Sequence, residues 1–154
     1  MLPLVHYAHI LLGTIWLGGT LAFSLAFYPA LARMPAAEAK RVFDAVAGYA
    51  GPLIGASGGL TMLLGPLRAY IGGGVTGWSD FTQPYGRMVV IAFVLVLNAQ
   101  ILGGRFRKGF AALMADPAAF ASKAPGRVTA NAAIETVLLL AVLGIMVSMG
   151  LALD

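Results

Sequence analysis

The strongest constraint on this chain is a set of four long apolar segments in which charged residues are almost absent. They extend over about Leu4–Phe27, Val46–Ile71, Met88–Gly103 and Val128–Leu151. A helix that crosses a bilayer needs roughly 20 apolar residues, because the hydrocarbon core is about 30 Å thick and a helix rises about 1.5 Å per residue. The segments are continuously apolar, without the alternation of barrel strands. The sequence therefore predicts an all-α integral membrane protein with a four-transmembrane-helix bundle.

Composition supports lipid as the solvent of this chain. Of its 154 residues, 60% are hydrophobic and 10% are charged, and the mean hydropathy is +0.88. A water-soluble domain of this size could not cover its surface with so few polar groups. The first apolar segment lacks a basic leader and an obvious cleavage site, so we expect a permanent helix and not a removed signal peptide. The absence of cysteine excludes disulfides and thiolate metal sites.

The positions of the basic residues predict the topology. Eight of the ten lie in two segments between apolar stretches: Arg33, Lys40, Arg41, Arg105, Arg107, Lys108, Lys123 and Arg127. By the positive-inside rule these segments are cytoplasmic, which places both termini and the segment Gly72–Gly86 on the outer side. Anionic lipid headgroups are sufficient partners for a net charge of +4, so no nucleic-acid partner is predicted.

The chain is predicted to form one domain, residues 1–154, made of two helical hairpins. Each basic segment has the signals of a short helix of its own, over Ala36–Val46 after Pro35 and over Ala118–Lys123 after Asp116-Pro117. The second apolar segment carries glycines at four-residue spacing, Gly51, Gly55 and Gly59, together with Gly58 and Gly65. This spacing lets a neighbouring backbone approach closely, or leaves room for a flat cofactor.

Two histidines fall on one face of the first predicted helix. His6, His9, Gly13, Trp16 and Thr20 recur at three- or four-residue intervals and form one stripe. Polar groups in a membrane usually face the bundle, so both imidazoles are expected to point into its outer third. The pattern fits metal or cofactor ligands and structural hydrogen bonding equally well.

Methionines return to the same depth on the other helices. Met146 and Met149 lie close together on one face of the fourth helix, and Met62 and Met88 also fall in the outer half. Imidazole and thioether ligands suit Cu(I), whereas magnesium and calcium require carboxylates. The pattern predicts a copper site formed by His6, His9, Met146 and Met149, with core filling as the alternative role of the methionines.

Glu135 is the only carboxylate well inside an apolar segment, and Asn98 and Gln100 fall at a similar depth. These residues form either a neutral structural carboxyl with amide partners or a proton or ion step. Nearer the outer surface, Arg68, Arg87 and Asp80 are expected to cluster, as an ion pair or anion site or as simple interfacial side chains.

Conventional catalytic signatures are missing from the sequence. No phosphate loop, Ser-His-Asp set or catalytic carboxylate pair can be assembled, so a role other than hydrolysis or nucleotide chemistry is favoured.

The sequence HILLGTIWLGG at His9–Gly19 resembles the first helix of the CopD-type copper resistance membrane proteins, and TQPYGRMVV at Thr82–Val90 is similar to the opening of a later helix in that family. The resemblance covers roughly Val5–Gly104. It implies copper handling in the bacterial inner membrane, with His9 as the first candidate ligand. The chain departs from the family where a lysine often follows Tyr-Gly-Arg, because Met88 and Val89 stand there.

The first hairpin also looks like that of the HemJ-type heme-synthesis membrane proteins, which share the spacing from His9 to Trp16 and bind heme b. Their helix-three lysine is missing here too, so the resemblance implies an axial heme ligand, His9 or His6, with Trp16 beside the ring, and not their oxidase activity. A second axial ligand is then expected from Met146 or Met149, or from another protomer. A third possibility is a noncatalytic subunit that scaffolds a homo-oligomer or a larger membrane complex.

Overall fold

The computed structural model describes residues 1–151, and in this range the chain is helical with short connections and no strand. Four helices are long and apolar enough to cross a membrane: α1 (Leu2–Leu31), α2 (Ala36–Ile71), α3 (Pro84–Leu113) and α4 (Pro117–Leu151). The predicted all-α fold with four membrane helices is confirmed. The protein is therefore a multi-pass membrane protein.

Short connections make each helix run antiparallel to the next, so the bundle has two distinct ends. We call the end with the connections 32–35 and 114–116 the basic end, because it carries the predicted cytoplasmic arginines and lysines. The loop end carries Met1, the connection 72–83 and Leu151. The most extensive helix contacts are α1 with α2 and α3 with α4, which is the arrangement of two packed hairpins.

The helices are longer than the apolar segments that predicted them. The separate short helices expected in the basic segments are instead the first turns of α2 and α4, which run on without interruption. Asp116 Oδ1 accepts the N–H groups of Ala118 and Ala119, at 3.0 and 3.1 Å, and so begins α4. In α2 the Lys40–Asp44 ion pair, at 2.5 Å, joins successive turns of the polar extension. Local helix-stabilising contacts thus continue each span beyond its apolar part.

Helix α1 contains one irregular turn that the sequence did not predict. Residues Phe23–Phe27 form a π-helical turn, after which α-helix resumes at Tyr28–Leu31. Ser24, in this turn, is fully buried. A π-helical turn widens the helix by one residue and re-aims the side chains around it. Here it brings a hydroxyl group into the bundle near the basic end.

The core is arranged in three layers along the bundle. At the basic end it is aromatic, with T-shaped and tilted ring pairs among Tyr28, Phe43, Phe106, Phe110 and Phe120. The middle layer contains Trp16, Val96, Ala99, Leu139 and Val142. The loop-end layer contains Ala69, Val75 and Val89, with Phe81, Tyr85 and Met149 packed against them. Large apolar side chains also cover the outside of all four helices, which is the surface expected in contact with lipid.

Of the five glycines noted in α2, Gly58 and Gly65 are the ones that lie against a neighbouring helix. A Cβ atom added at Gly51, Gly55 or Gly59 would meet nothing within 4 Å. At Gly58 it would lie 2.6 Å from Cδ1 of Trp16 and 2.5 Å from Nε2 of Gln100. The close approach therefore occurs at Gly58, against side chains of α1 and α3, and not along the row of Gly51, Gly55 and Gly59.

Candidate functional site

A cavity of about 390 Å³ opens between α1 and α4 at the loop end, a size within the range of small-molecule sites. We call it the loop-end cavity. Its walls include His6, His9, Trp16, Arg68, Met146 and Met149. A second recess of about 50 Å³ lies against α2 and α3, and His9, Arg68, Met146 and Met149 line both spaces. The structure thus brings together the four predicted metal ligands from the two ends of the sequence.

His9 has a free nitrogen within this region. Its Nδ1 atom is buried and has no hydrogen-bond partner in the part of the chain that the structure describes. The ring lies against α2 at Gly65, where an added Cβ would be 3.3 Å from His9 Cε1. A buried polar nitrogen without a partner is costly, because it loses its hydrogen bonds to water and gains none in return. A metal ion that binds Nδ1 in its unprotonated form would remove that cost.

His6 is in a different situation from His9. The Nε atom of Arg68 donates a hydrogen bond to His6 Nδ1 at 2.7 Å, and Arg68 Nη1 donates to the hydroxyl of Tyr85 at 3.3 Å. Because a guanidinium only donates, Nδ1 must be the acceptor, which places the proton of the neutral imidazole on Nε2. The only lone pair of His6 is therefore used within the protein.

Three methionines line these spaces. Met146 packs against the middle layer and Met149 against the loop-end layer, while Met62 of α2 lines the smaller recess beside His9. Among the described methionines, Met88 is not part of these walls. The depth of Met88 along α3 suggested it as a candidate, but the sequence did not show on which side of α3 its side chain lies.

Trp16 and Gln100 belong to a polar contact in the middle layer. The indole Nε1 of Trp16 donates to Gln100 Oε1 at 3.0 Å, and Gln100 Nε2 donates to the carbonyl oxygen of Gly55 at 3.2 Å. Trp16 is 2% exposed. The side chain of Gln100 is therefore engaged in tying α1 to α2 and α3.

Glu135 lies in the other half of the bundle, and its partner is one that the sequence analysis missed. The hydroxyl of Ser24, in the π-helical turn of α1, donates to Glu135 Oε2. The predicted partner Asn98 is exposed and donates to the carbonyl oxygen of Val94 at 2.8 Å, so that part of the prediction was wrong. Asn98 and Gln100 do share a similar depth, but two residues along a helix turn the side chain by about 200°.

The predicted cluster of Arg68, Arg87 and Asp80 does not form an ion pair. Asp80 Oδ2 accepts the N–H groups of Thr76 and Gly77, at 2.7 and 2.9 Å. Hydrogen bonds from these amides, together with the Thr76 hydroxyl, lower the pKa of the Asp80 carboxyl. Arg87 Nε donates to the carbonyl oxygen of Thr82 at 2.7 Å. Asp80 and Arg87 therefore form hydrogen bonds with backbone groups of the 72–83 connection and not with each other.

No family model, curated protein or solved structure matches this chain. Within residues 1–151 no group of three or more histidine, cysteine, aspartate or glutamate side chains is placed to hold a metal ion. The loop-end cavity and the adjoining recess together offer one imidazole nitrogen without a partner and three methionine side chains, a donor set for a soft ligand.

Proposed function

We propose that this protein handles copper, with Cu(I) as cargo at the loop-end cavity. The observation that supports the proposal is His9, whose Nδ1 has no partner among the described residues. His9, Met146 and Met149 line both the loop-end cavity and the adjoining smaller recess, and Met62 lines the recess. Nitrogen and thioether donors select Cu(I) over hard cations. The free lone pair of His9 gives the nitrogen ligand, and the methionines supply the sulfur ligands.

His6 is left out of this ligand set, although the sequence suggested it. Its Nδ1 accepts the hydrogen bond from Arg68, and metal binding there would require that contact to break. The guanidinium of Arg68 lines the same cavity and repels a cation. We therefore expect moderate affinity, which suits an ion that is received and passed on.

Anaerobic Cu(I) titration of the purified protein in lipid nanodiscs tests the proposal. We expect one Cu(I) per chain, and a loss of affinity of more than about tenfold in His9→Ala, because a direct ligand contributes at least as much as an outer-shell partner. Met146→Leu and Met149→Leu should weaken binding, whereas the matched control Met88→Leu should not. His6→Ala should retain the site. Metal analysis that finds no copper under reducing, copper-replete conditions would overturn the proposal.

Heme b is a second candidate, favoured by the size of the loop-end cavity and by Arg68 on its wall. A guanidinium pairs well with the carboxylates of a porphyrin, and a neutral imidazole such as that of His9 is an ordinary ligand of heme iron. His9, together with Met146, Met149 or a residue of a second protomer, would hold the group. The group would bring redox chemistry, while the chain would bind and orient it. Protein made in heme-sufficient cells should then show a Soret band that His9→Ala removes or shifts. Colourless protein that takes up no hemin excludes this candidate.

The basic residues support a proposal for orientation. We infer that the basic end faces the cytoplasm of a bacterial inner membrane, with both termini and the loop end outside, because the basic connections follow the positive-inside rule. Cysteines introduced at the exposed positions Ala37, Ser79 and Ala121 test this. Only Ser79→Cys should react with an impermeant reagent added from outside. Labelling of Ser79→Cys from the cytoplasm alone would reverse the topology.

A further inference from the structure

The basic-end half of the bundle contains a buried carboxyl that the copper proposal does not use. Glu135 of α4 is 3% exposed, and its partner Ser24 is fully buried. The single ion pair formed by the described residues is Lys40–Asp44, at 2.5 Å, so no cation pairs directly with Glu135. Burying a carboxylate without a paired charge is costly. The negative charge of this carboxyl group must therefore be neutralised by a bound proton or by a ligand.

A second polar side chain lies beside it without a partner. Asn131 precedes Glu135 by four residues, which places the two one above the other on the same face of α4. Asn131 is 8% exposed, and its Nδ2 atom is buried with no hydrogen-bond partner in the described chain. An amide N–H₂ group can only donate. The position thus holds a spare donor next to a carboxyl group, which is what the ionised form requires.

Space for water adjoins the carboxyl. A cavity of about 50 Å³, the basic-end cavity, is lined by Glu135, Ser24, Tyr28, Gly103 and Arg107, among others. A water molecule needs roughly 10–15 Å³ of such space, so a few can fit. At Gly103 an added Cβ would be 2.8 Å from Glu135 Oε1, so the carboxyl reaches the bare backbone of α3. Arg107 lies one turn nearer the basic end than Gly103, which gives the cavity a polar side toward that end.

We propose that Glu135 is a reversible proton-binding site that exchanges with water at the basic end through this cavity. In uptake, a water molecule at the Arg107 side gives a proton to the carboxylate, an O–H bond forms on Glu135, and the water is left as hydroxide or is reprotonated from solvent. Release reverses these steps. Both forms have partners: the Ser24 hydroxyl donates to the carboxylate and accepts from the carboxylic acid, while Asn131 and Arg107 favour the ionised form.

The other titratable groups around the cavity leave the exchange to Glu135. Helix α1 contributes Tyr28 and α3 contributes Arg107. The lining residues of α2 are Phe43, Ala47, Gly51 and Ile54, none of which titrates. Arginine stays protonated at all ordinary pH values, and a tyrosine hydroxyl ordinarily ionises only at about pH 10. Of the side chains that line this cavity, Glu135 is therefore the one that can take up and release a proton.

The π-helical turn supports a functional origin of this arrangement. It is the one place where α1 leaves α-helical geometry, and it holds Ser24. Such turns cost regular hydrogen bonding and occur frequently at functional sites. If position 135 only filled the core, an apolar side chain would pack there without a hydroxyl partner. The π-helical turn that brings in Ser24 would then not be needed.

Infrared difference spectroscopy of the full-length protein in lipid nanodiscs, titrated with pH, tests the proposal. We expect the carbonyl band of a protonated, buried carboxyl to rise and fall with pH and to shift on transfer to D₂O. Glu135→Gln should abolish the band, and the control Asp44→Asn, at an exposed position, should leave it intact. A band that neither titrates while the protein stays folded nor shifts in D₂O would make Glu135 a permanent structural group and overturn the proposal.

Ser24→Ala keeps the proposal testable if Glu135→Gln does not fold. Removing the hydroxyl should move the carboxyl band to higher frequency, because its hydrogen bond is lost, and the band should still titrate. A band that Ser24→Ala does not move cannot belong to Glu135, and that result would also overturn the proposal. Copper binding at the other end of the bundle is not needed for any of these outcomes.

Discussion

The two cavities of this bundle differ in size, in donor atoms and in what their polar groups still lack. The loop-end cavity measures about 390 Å³ and is lined by two methionines and by His9, whose Nδ1 has no partner among the described residues. The basic-end cavity measures about 50 Å³ and offers a carboxyl with an amide donor beside it. The first has the dimensions and chemistry of a ligand site, the second those of a site for protons and water. A small membrane bundle can thus hold two unrelated polar sites at different depths.

A packed middle layer lies between these cavities. Trp16 lines both of them, and its hydrogen bond to Gln100, continued to the backbone of Gly55, joins three helices at this level. Trp16 and its hydrogen bonds are therefore the direct structural connection between the two cavities. Substitutions of single glycines that face the middle layer or either cavity can therefore test the contribution of each region separately.

The largest effect is expected at Gly58, in the middle layer. In Gly58→Ala the new methyl group would lie 2.6 Å from Cδ1 of the buried Trp16 ring, which has little room to move. Overpacking of this kind costs about 1–3 kcal/mol. We expect the thermal midpoint in detergent to fall by several degrees, together with changes at both sites.

Gly59→Ala is the matched control, because an added Cβ there meets nothing within 4 Å. In a helix interior, alanine is favoured over glycine by roughly 0.5–1 kcal/mol. The control should therefore be neutral or slightly stabilising. Equal loss of stability in the two variants would show that the middle layer is not packed as the structure has it.

A smaller effect, confined to the basic end, is expected at Gly103. The methyl group of Gly103→Ala would lie 2.8 Å from Glu135 Oε1, and the carboxyl end can shift to avoid it. We expect a cost near 1 kcal/mol and a displaced carboxyl band in the infrared spectrum, with Cu(I) binding unchanged. Gly104→Ala, which has open space, serves as control. Loss of Cu(I) binding in Gly103→Ala alone would show that the two regions are coupled.

A still smaller effect is expected at the loop end from Gly65→Ala. The added Cβ would be 3.3 Å from His9 Cε1, so the imidazole must shift by only a few tenths of an ångström. Displacing the His9 imidazole at a cost of about 0.5–1 kcal/mol corresponds to a Cu(I) affinity that is roughly two- to fivefold weaker. Gly51→Ala, on the same helix with open space around it, should bind as the wild type does. Titration of both variants side by side measures the difference.

The smallest effect concerns the 72–83 connection at the loop end. The amides that hydrogen-bond to Asp80 lower the pKa of its carboxyl. The ionised form therefore stabilises this turn at pH values above the pKa of the unfolded state, and this stabilisation is lost as the pH falls through the lowered pKa. The amide NMR signals of Thr76 and Gly77 should shift with this acid transition. Asp80→Asn should abolish the transition, and Asp44→Asn should retain it. An unchanged transition in Asp80→Asn would assign it to another group.

Sequence reasoning located the site residues along the membrane normal better than around the helix axes. Counting 1.5 Å per residue from each helix end was enough to place His9, Met146 and Met149 at one depth, and the structure puts them on shared walls. The same counting paired Asn98 with Glu135, although Asn98 faces outward. Depth depends on position within one helix, whereas facing depends on how neighbouring helices rotate against each other.

The sequence by itself determined that the chain forms four membrane helices, because long apolar segments must satisfy their own backbone hydrogen bonds in lipid. Only the tertiary structure decided which polar groups meet. Ser24 reaches Glu135 across more than a hundred residues, and Arg68 takes the lone pair of His6 while His9 Nδ1 stays free. These outcomes depend on helix rotation and on the π-helical turn of α1, which arise from packing among all four helices and have no signature in any one of them.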